Sequence, residues 1–184
     1  MPMKQIYCSN ATNKILEEKM EEAINRYSEN YRIEKALVKA ICRQESQMYP
    51  YAVRYEPQLR RAKWYLATIP EEYKTNKMAY CSMGAMQVLY GIAKINGYKG
   101  DPEGLFIIDN AINYGCKHLS NIIDARYYWA DVVSTYNQGS PRRYTTGKNK
   151  GKFKNQDYVD SVYKYYRLYG GVVNMHLDEK RRGK

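Results

Sequence analysis

Leu105, Ile108, Ile112, Cys116, Leu119 and Ile123 recur at steps of three and four. Such a stripe lies along one side of a helix, whereas a strand would divide it between two faces. A helix with one apolar side needs partners that bury it, and the chain supplies them. Ile15, Leu16, Met20, Ala23, Ile24 and Tyr27 oppose Glu17, Glu18, Glu21 and Glu22, predicting a first amphipathic helix with Asn10 or Thr12 as cap. A second starts near Glu34, with Ile33, Leu37, Ala40 and Ile41 on one face. Further helices are expected near Ser82–Ile95, Trp129–Tyr136 and Asn155–Leu168, the last ended by Gly170-Gly171. Between Tyr49 and Met83 the period is lost and Pro50, Pro57 and Pro70 intervene, so short helices or a small β element are expected. Ser140 to Lys154 is polar and basic, contains Gly147 and Gly151, and reads as a mobile loop. The fold class is mainly α, a single helical domain with a cleft and a small irregular or β insertion.

At 184 residues one domain is expected, large enough for a core of its own. A composition of 44% hydrophobic and 27% charged residues excludes wholesale disorder. The net charge of +11 is lopsided: residues 141–184 carry 12 basic against 4 acidic groups. That imbalance suggests a polyanionic neighbour, whether nucleic acid, anionic lipid or cell wall. There are 21 Tyr but 2 Phe, which suits sugar binding and base stacking alike, or reflects Tyr standing in for Phe. Cys8, Cys42, Cys81 and Cys116 form no C-x-x-C pair, and His118 and His176 are far apart, so no metal site is expected. The thiols read as free and mostly buried. No apolar run is long enough for a membrane span, and the first residues lack the apolar core of a secretory signal.

Glu45 is the most informative residue. With Leu37 and Ile41 it makes a four-residue step, so it continues the apolar face of the second helix. Burial there raises a carboxyl's pKa, and the negative end of the helix dipole acts in the same direction. A carboxyl that stays protonated near neutral pH suits general-acid cleavage of a glycosidic bond. Periodicity alone favours the plainer reading, a helix-terminal glutamate paired with Arg43 or facing water.

Its company decides between these. Gln44-Glu45-Ser46 is followed by Gly84-Ala85-Met86-Gln87-Val88, Ala111-Ile112-Asn113-Tyr114-Gly115, Thr135-Tyr136-Asn137-Gln138-Gly139 and Tyr158-Val159. In this order the set resembles the lytic transglycosylase family, of the soluble type with a goose-lysozyme-like fold, over about residues 33–168. The resemblance implies an α+β lysozyme-like catalytic domain at 33–168, a helical extension at 1–32 packed on it, and a basic tail at 169–184. It implies Glu45 as the sole catalytic carboxyl, acid and then base, cleaving between N-acetylmuramic acid and N-acetylglucosamine with closure of a 1,6-anhydro ring. Ser46 would contact sugar or hold Glu45, and Met86 and Gln87 would line the cleft. Tyr136 and Asn137 would form the opposite wall, and Tyr158 would hydrogen-bond near Glu45. No cofactor or metal is implied. The partners implied are peptidoglycan strands and an anionic wall surface, met by a monomer without specific nucleic-acid binding.

The chain departs from the family pattern between Glu45 and Gly84, 39 residues apart and about twice the usual spacing. This insertion holds Ala52-Val53-Arg54-Tyr55-Glu56-Pro57, which resembles a variant of phage-encoded members. Made in the cytoplasm without a signal, such an enzyme would reach the wall with a virion or after release. Glu56 is a candidate second carboxylate. Facing the cleft it could activate water and yield a hydrolysed end; paired with Arg54 or Arg60 it is structural, the reading favoured on sequence. The alternatives are therefore a muramidase acting on the same bond, a non-catalytic basic nucleic-acid binder, and a wall-binding module with a degenerate site. No RNP, zinc-finger or KH signature supports nucleic acid, and the intact Glu45-Ser46 pair opposes degeneracy.

Overall fold

The computed structural model describes residues 10–125 and 128–172. Among these residues seven helices enclose one core, and a three-stranded antiparallel sheet packs beside them. The fold is mainly α and lysozyme-like. Helix α1 spans Asn10–Asn30, so Thr12 lies inside it rather than capping it. Met20, Ala23 and Ile24 bury its inner face against α5 (Ile108–Ala125) and α2 (Lys35–Ser46). The α5 stripe is buried at Ile108, Ile112, Cys116 and Leu119, whereas Leu105 belongs to a separate 3-10 turn, Glu103–Phe106. Arg26 of α1 reaches Asp109 of α5 at 2.8 Å.

Strand β1 (Val53–Tyr55) pairs with β2 (Cys81–Met83), which pairs with β3 (Val88–Leu89). Between β1 and β2 the chain makes 3-10 turns and a four-residue helix, α3 (Lys63–Leu66), so the expected short helices and β element are both present. The helix expected from Ser82 does not form there; α4 covers only Tyr90–Ile95. Met83, Met86, Tyr90 and Ala93 are all buried at helix-like steps, but a hairpin produces that spacing here. Gly84 (φ 75) and Gln87 (φ 49) turn the chain through left-handed geometry, which interrupts a helix. Gln87 is held there by its own side chain: Nε2 donates to Ala52 O at 3.1 Å and Gly84 O at 3.0 Å, and Oε1 accepts from Ser82 at 3.0 Å.

Helix α6 runs Trp129–Gln138 and ends at Gly139 in left-handed conformation. Helix α7 runs Gln156–Leu168 and lies along α2, their apolar sides meeting through Val38, Ile41, Val159 and Val162. Two phenols tie the pair. Tyr158 near the start of α7 bonds Glu45 at the end of α2, and Tyr166 near the end of α7 bonds Glu34 just before α2 begins. The two helices are therefore antiparallel.

The segment expected to be a mobile loop, 140–154, is instead laced across itself. Arg143 and Phe153 form a β-bridge, Tyr144 N donates to Lys152 O at 2.9 Å, and Lys154 N donates to Arg142 O at 2.8 Å. Phe153 is buried beneath the Arg143 guanidinium, 3.5 Å from its ring centre, and Arg143 also pairs with Asp131 at 2.8 Å. One buried apolar side chain and one cation–π contact give this loop the anchor that its polar sequence conceals. Cys42, Cys81 and Cys116 are free and buried; Cys8, and the expected tail from residue 173 on, lie outside the described residues.

Gly84 combines a positive φ with close packing: a Cβ there would stand 2.6 Å from that of Ala111. Gly84→Ala is expected to cost about 2 kcal/mol or more, from strain plus overlap. A thermal melt should show Tm lower by about 4–8 °C.

Candidate active site

Four segments meet at a cleft of about 220 Å³ beside the sheet. The last turn of α2 contributes Glu45, β1 and the turn after it contribute Arg54, Glu56, Gln58 and Leu59, the hairpin contributes Ser82, Gln87 and Leu89, and α6 contributes Tyr136 and Asn137. Glu45 comes to the cleft because α2 stops one residue later. Gln47 (φ 58) and Met48 (φ 67) both adopt left-handed geometry, and their amides return to Arg43 O and Cys42 O.

Half-buried on the apolar side of α2, the Glu45 carboxyl has its pKa raised, chiefly by loss of water. Glu56 raises it further, while the Tyr158 hydrogen bond and the Arg54 charge oppose the shift. Tyr158 donates to Oε1 at 2.7 Å. Burial pushes the phenols of Tyr158 and Tyr136 up, so both remain hydrogen-bond donors at neutral pH. His118, its ring 5.6 Å from that of Tyr136, has its pKa lowered by burial to about 4 and is a neutral imidazole there. Among the described residues, no group of three or more His, Cys, Asp or Glu could hold a metal ion, and no helix is long and apolar enough to cross a membrane.

The structure gathers Glu45, Gln87, Tyr136, Asn137 and Glu56 around the cleft, with Tyr158 behind Glu45. It does not bring the other two side chains there. Met86 is wholly buried, its sulfur packed where a Cβ on Gly115 would lie 2.5 Å away. Met86 takes part through its backbone carbonyl, which accepts the Tyr136 hydroxyl at 2.9 Å. A long apolar side chain in the tight turn between β2 and β3 finds the core more readily than a polar groove. The Ser46 hydroxyl is 3.0 Å from Cys42 O and 2.9 Å from Ala85 O, so it ties the end of α2 to the hairpin and does not line the cleft. Asn137 is exposed, and its Oδ1 accepts from Asn155 at 3.0 Å. Asn155 in turn bonds Ser134 and Gln138, a polar lattice that fixes the end of α6.

Glu56 satisfies both sequence alternatives at once. It lines the cleft with Glu45, and its oxygens accept from Arg54 Nε and Gln58 Nε2, each at 2.6 Å. Arg54, Gln58, Leu59, Ser82 and Leu89 were not singled out from sequence as cleft residues. Strand alternation through Arg54-Tyr55-Glu56 offered a signal for Arg54, because residues two apart share a side.

A lysozyme-like helical domain whose cleft presents a desolvated glutamate to a polar groove has the architecture of a glycosidic-bond-cleaving enzyme. The transglycosylase SLT domain family matches residues 22–159, three-quarters of the chain, and the chain belongs to that family. The match begins inside α1 and ends one residue after Tyr158. Family membership implies lytic-transglycosylase-type cleavage of a glycosidic bond, with peptidoglycan as substrate. No curated protein matches the chain.

Because burial raises the Glu45 pKa, folding favours the protonated form. Its stabilising contribution is whole below the unfolded value, near 4.5, and is lost as pH rises through the folded value. Glu45→Gln removes the charged form and keeps the shape. The variant should therefore melt above wild type at pH 7–8, with the difference shrinking towards zero below about pH 4, as scanning calorimetry across pH would show.

Proposed function

We propose that the chain is a peptidoglycan lytic transglycosylase in which Glu45 alone supplies the acid–base chemistry. It would cleave the β-1,4 bond between N-acetylmuramic acid and N-acetylglucosamine. The observation that carries this reading is the half-buried, pKa-raised Glu45 in a polar cleft, with a phenol on one oxygen. Protonated Glu45 donates to the glycosidic oxygen as the bond to muramic C1 breaks. The resulting carboxylate is the form that the Tyr158 O–H favours, so the same contact that opposes the raised pKa stabilises the group once its proton has left. The carboxylate then takes the proton of the muramic C6 hydroxyl as O6 attacks C1. Glu45 is protonated again, a 1,6-anhydro ring is formed, and no water is consumed. An internal nucleophile gains from high effective concentration and needs no second carboxylate.

Glu56 favours a second reading, hydrolysis, because it shares the cleft. Both its oxygens already accept short hydrogen bonds, however, and a water to be activated would compete with Arg54 and Gln58. The anhydro product is preferred on that ground. Gln87 and Asn137 are read as cleft walls towards the sugar, and Tyr136 as the post that holds the Met86 carbonyl beneath it. The Ala52–Pro57 variant supports a phage-encoded member acting on the wall from outside the cytoplasm.

Glu45→Gln is expected to lower the cleavage rate by at least about 100-fold, the lower end for loss of a general acid. Turbidity of purified peptidoglycan reports the rate. Mass spectrometry of the wild-type digest should show muramic ends one water lighter than hydrolysed ends. Variant activity within tenfold of wild type contradicts the assignment of Glu45, and hydrolysed ends move the chain to the muramidase reading.

The laced loop at 140–154 supports the anionic wall as a partner. It carries Arg142, Arg143, Lys148, Lys150, Lys152 and Lys154 with no acidic residue from 141 to 154. The four lysines are exposed, and Asn155 connects the loop's end to Asn137 at the cleft. Such a surface concentrates the enzyme on a polyanion by screened attraction. Replacing Lys148, Lys150, Lys152 and Lys154 by Gln should weaken sacculus binding severalfold at low salt and flatten its salt dependence. Cleavage of short soluble glycan should change by less than about twofold. Unchanged sacculus binding in a co-sedimentation assay contradicts this role.

A further inference from the structure

Arg54 stands in the cleft and neither gives nor takes the proton; its charge only opposes the rise of the Glu45 pKa. It lies on β1, an edge strand of the sheet, in the stretch that lengthens the spacing between Glu45 and Gly84. Its Nε donates to Glu56 Oε1 at 2.6 Å, while Gln58 Nε2 holds the other oxygen of Glu56 at the same distance. The inner edge of the guanidinium is therefore braced by a carboxylate that is itself braced. The Glu56 side chain is only 17% exposed, against 64% for Arg54, so the pair is rooted at one end and open at the other. A guanidinium pinned through Nε keeps two Nη groups as a planar fork, the geometry that matches a carboxylate. A simple surface ion pair needs neither the second brace nor a place in the cleft wall.

The substrate's chemistry narrows what that fork can meet. The sugar backbone of a peptidoglycan strand is neutral, and its negative charge sits on the muramic side branch, as the lactyl carboxylate or the carboxylates of an attached peptide. Glu45 and Glu56 leave the Arg54 side as the cationic part of the cleft. We propose that Arg54, braced by Glu56 and Gln58, is a carboxylate-binding subsite that selects strands bearing an acidic muramic branch. This rests on the cleft being the peptidoglycan site. Arg54 is thereby a binding residue and Glu56 a positioning one.

The test measures kcat/KM for wild type and Arg54→Gln on sacculi with free carboxylates and on the same sacculi chemically amidated. It is repeated on amidase-treated strands, where only the lactyl carboxylate remains, with and without amidation. Wild type should prefer the free form by about fivefold, the range for a partly exposed charge-assisted contact. Arg54→Gln should bring that ratio close to one. Arg54→Lys keeps the charge but not the planar fork, so it should retain a preference of about twofold. A ratio that persists on amidase-treated strands assigns the subsite to the lactyl group, and one confined to intact sacculi assigns it to the peptide. The proposal is overturned if wild type shows no preference, or if Arg54→Gln slows both forms by the same factor. Glu45→Gln on amidated sacculi separates the two levels: its activity reports on the acid assignment alone, while the Arg54 ratio decides the subsite.

Discussion

Two tyrosine–glutamate hydrogen bonds fasten α7 antiparallel along α2, and the cleft depends on that fastening. Tyr166 meets Glu34 before α2 begins, and Tyr158 meets Glu45 where it ends. Between them Val38, Ile41, Val159 and Val162 are buried. Apolar packing drives the helices together but does not fix their register, since such contacts are non-directional. The phenols add direction. They also make burial of Glu45 tolerable, because a desolvated carboxyl with no partner is costly. One packing interface thus sets both the place of the carboxyl and its protonation behaviour.

Tyrosine serves this fold as a core residue that ends in a bond. Among the described residues, phenol hydroxyls reach defined acceptors from Tyr31 to Asn113, Tyr65 to Ala79 O, Tyr80 to Lys74 O, Tyr90 to Gly100 O, Tyr136 to Met86 O, Tyr158 to Glu45 and Tyr166 to Glu34. Phenylalanine could fill most of these volumes but not close the bonds. The excess of Tyr over Phe is therefore used for internal cross-linking here. Of this group, Tyr136 also lines the cleft.

The stretch between β1 and β2 does more than lengthen the chain. It supplies one wall of the groove and sets a second carboxylate beside Glu45, while giving that carboxylate two donors of its own. Glu56 and Arg54 act in opposite directions on the Glu45 pKa. Such a pair adds polar character to the groove while leaving burial as the main influence on Glu45. Across the groove, the Asn155 lattice and the laced basic loop hold the end of α6, so both walls are braced by polar networks.

Local order was legible in the residues themselves. The helices α1, α2, α5, α6 and α7 follow from three- and four-residue apolar steps, and Glu45 was exposed as unusual by the same periodicity, because a carboxyl on an apolar face must be explained. The family resemblance rested on short motifs in a set order, which a sequence displays directly. Other features belong to tertiary structure. Met83, Met86, Tyr90 and Ala93 keep helical spacing, yet β2 pairs with β1, where Ser82 stands opposite Arg54 28 residues earlier, and with β3, which makes a hairpin of Ser82–Leu89. The turn sends the Met86 side chain into the core and leaves only its carbonyl near the site. The loop at 140–154 looked free because its single buried anchor, Phe153, is invisible among lysines. Whether Glu56, besides meeting Arg54 two residues away, also faced the cleft had no answer in one dimension, since Glu45 and the hairpin must be placed before the cleft exists. Periodicity reports which side of an element is apolar; which distant groups share that side's surroundings is decided only when the elements pack.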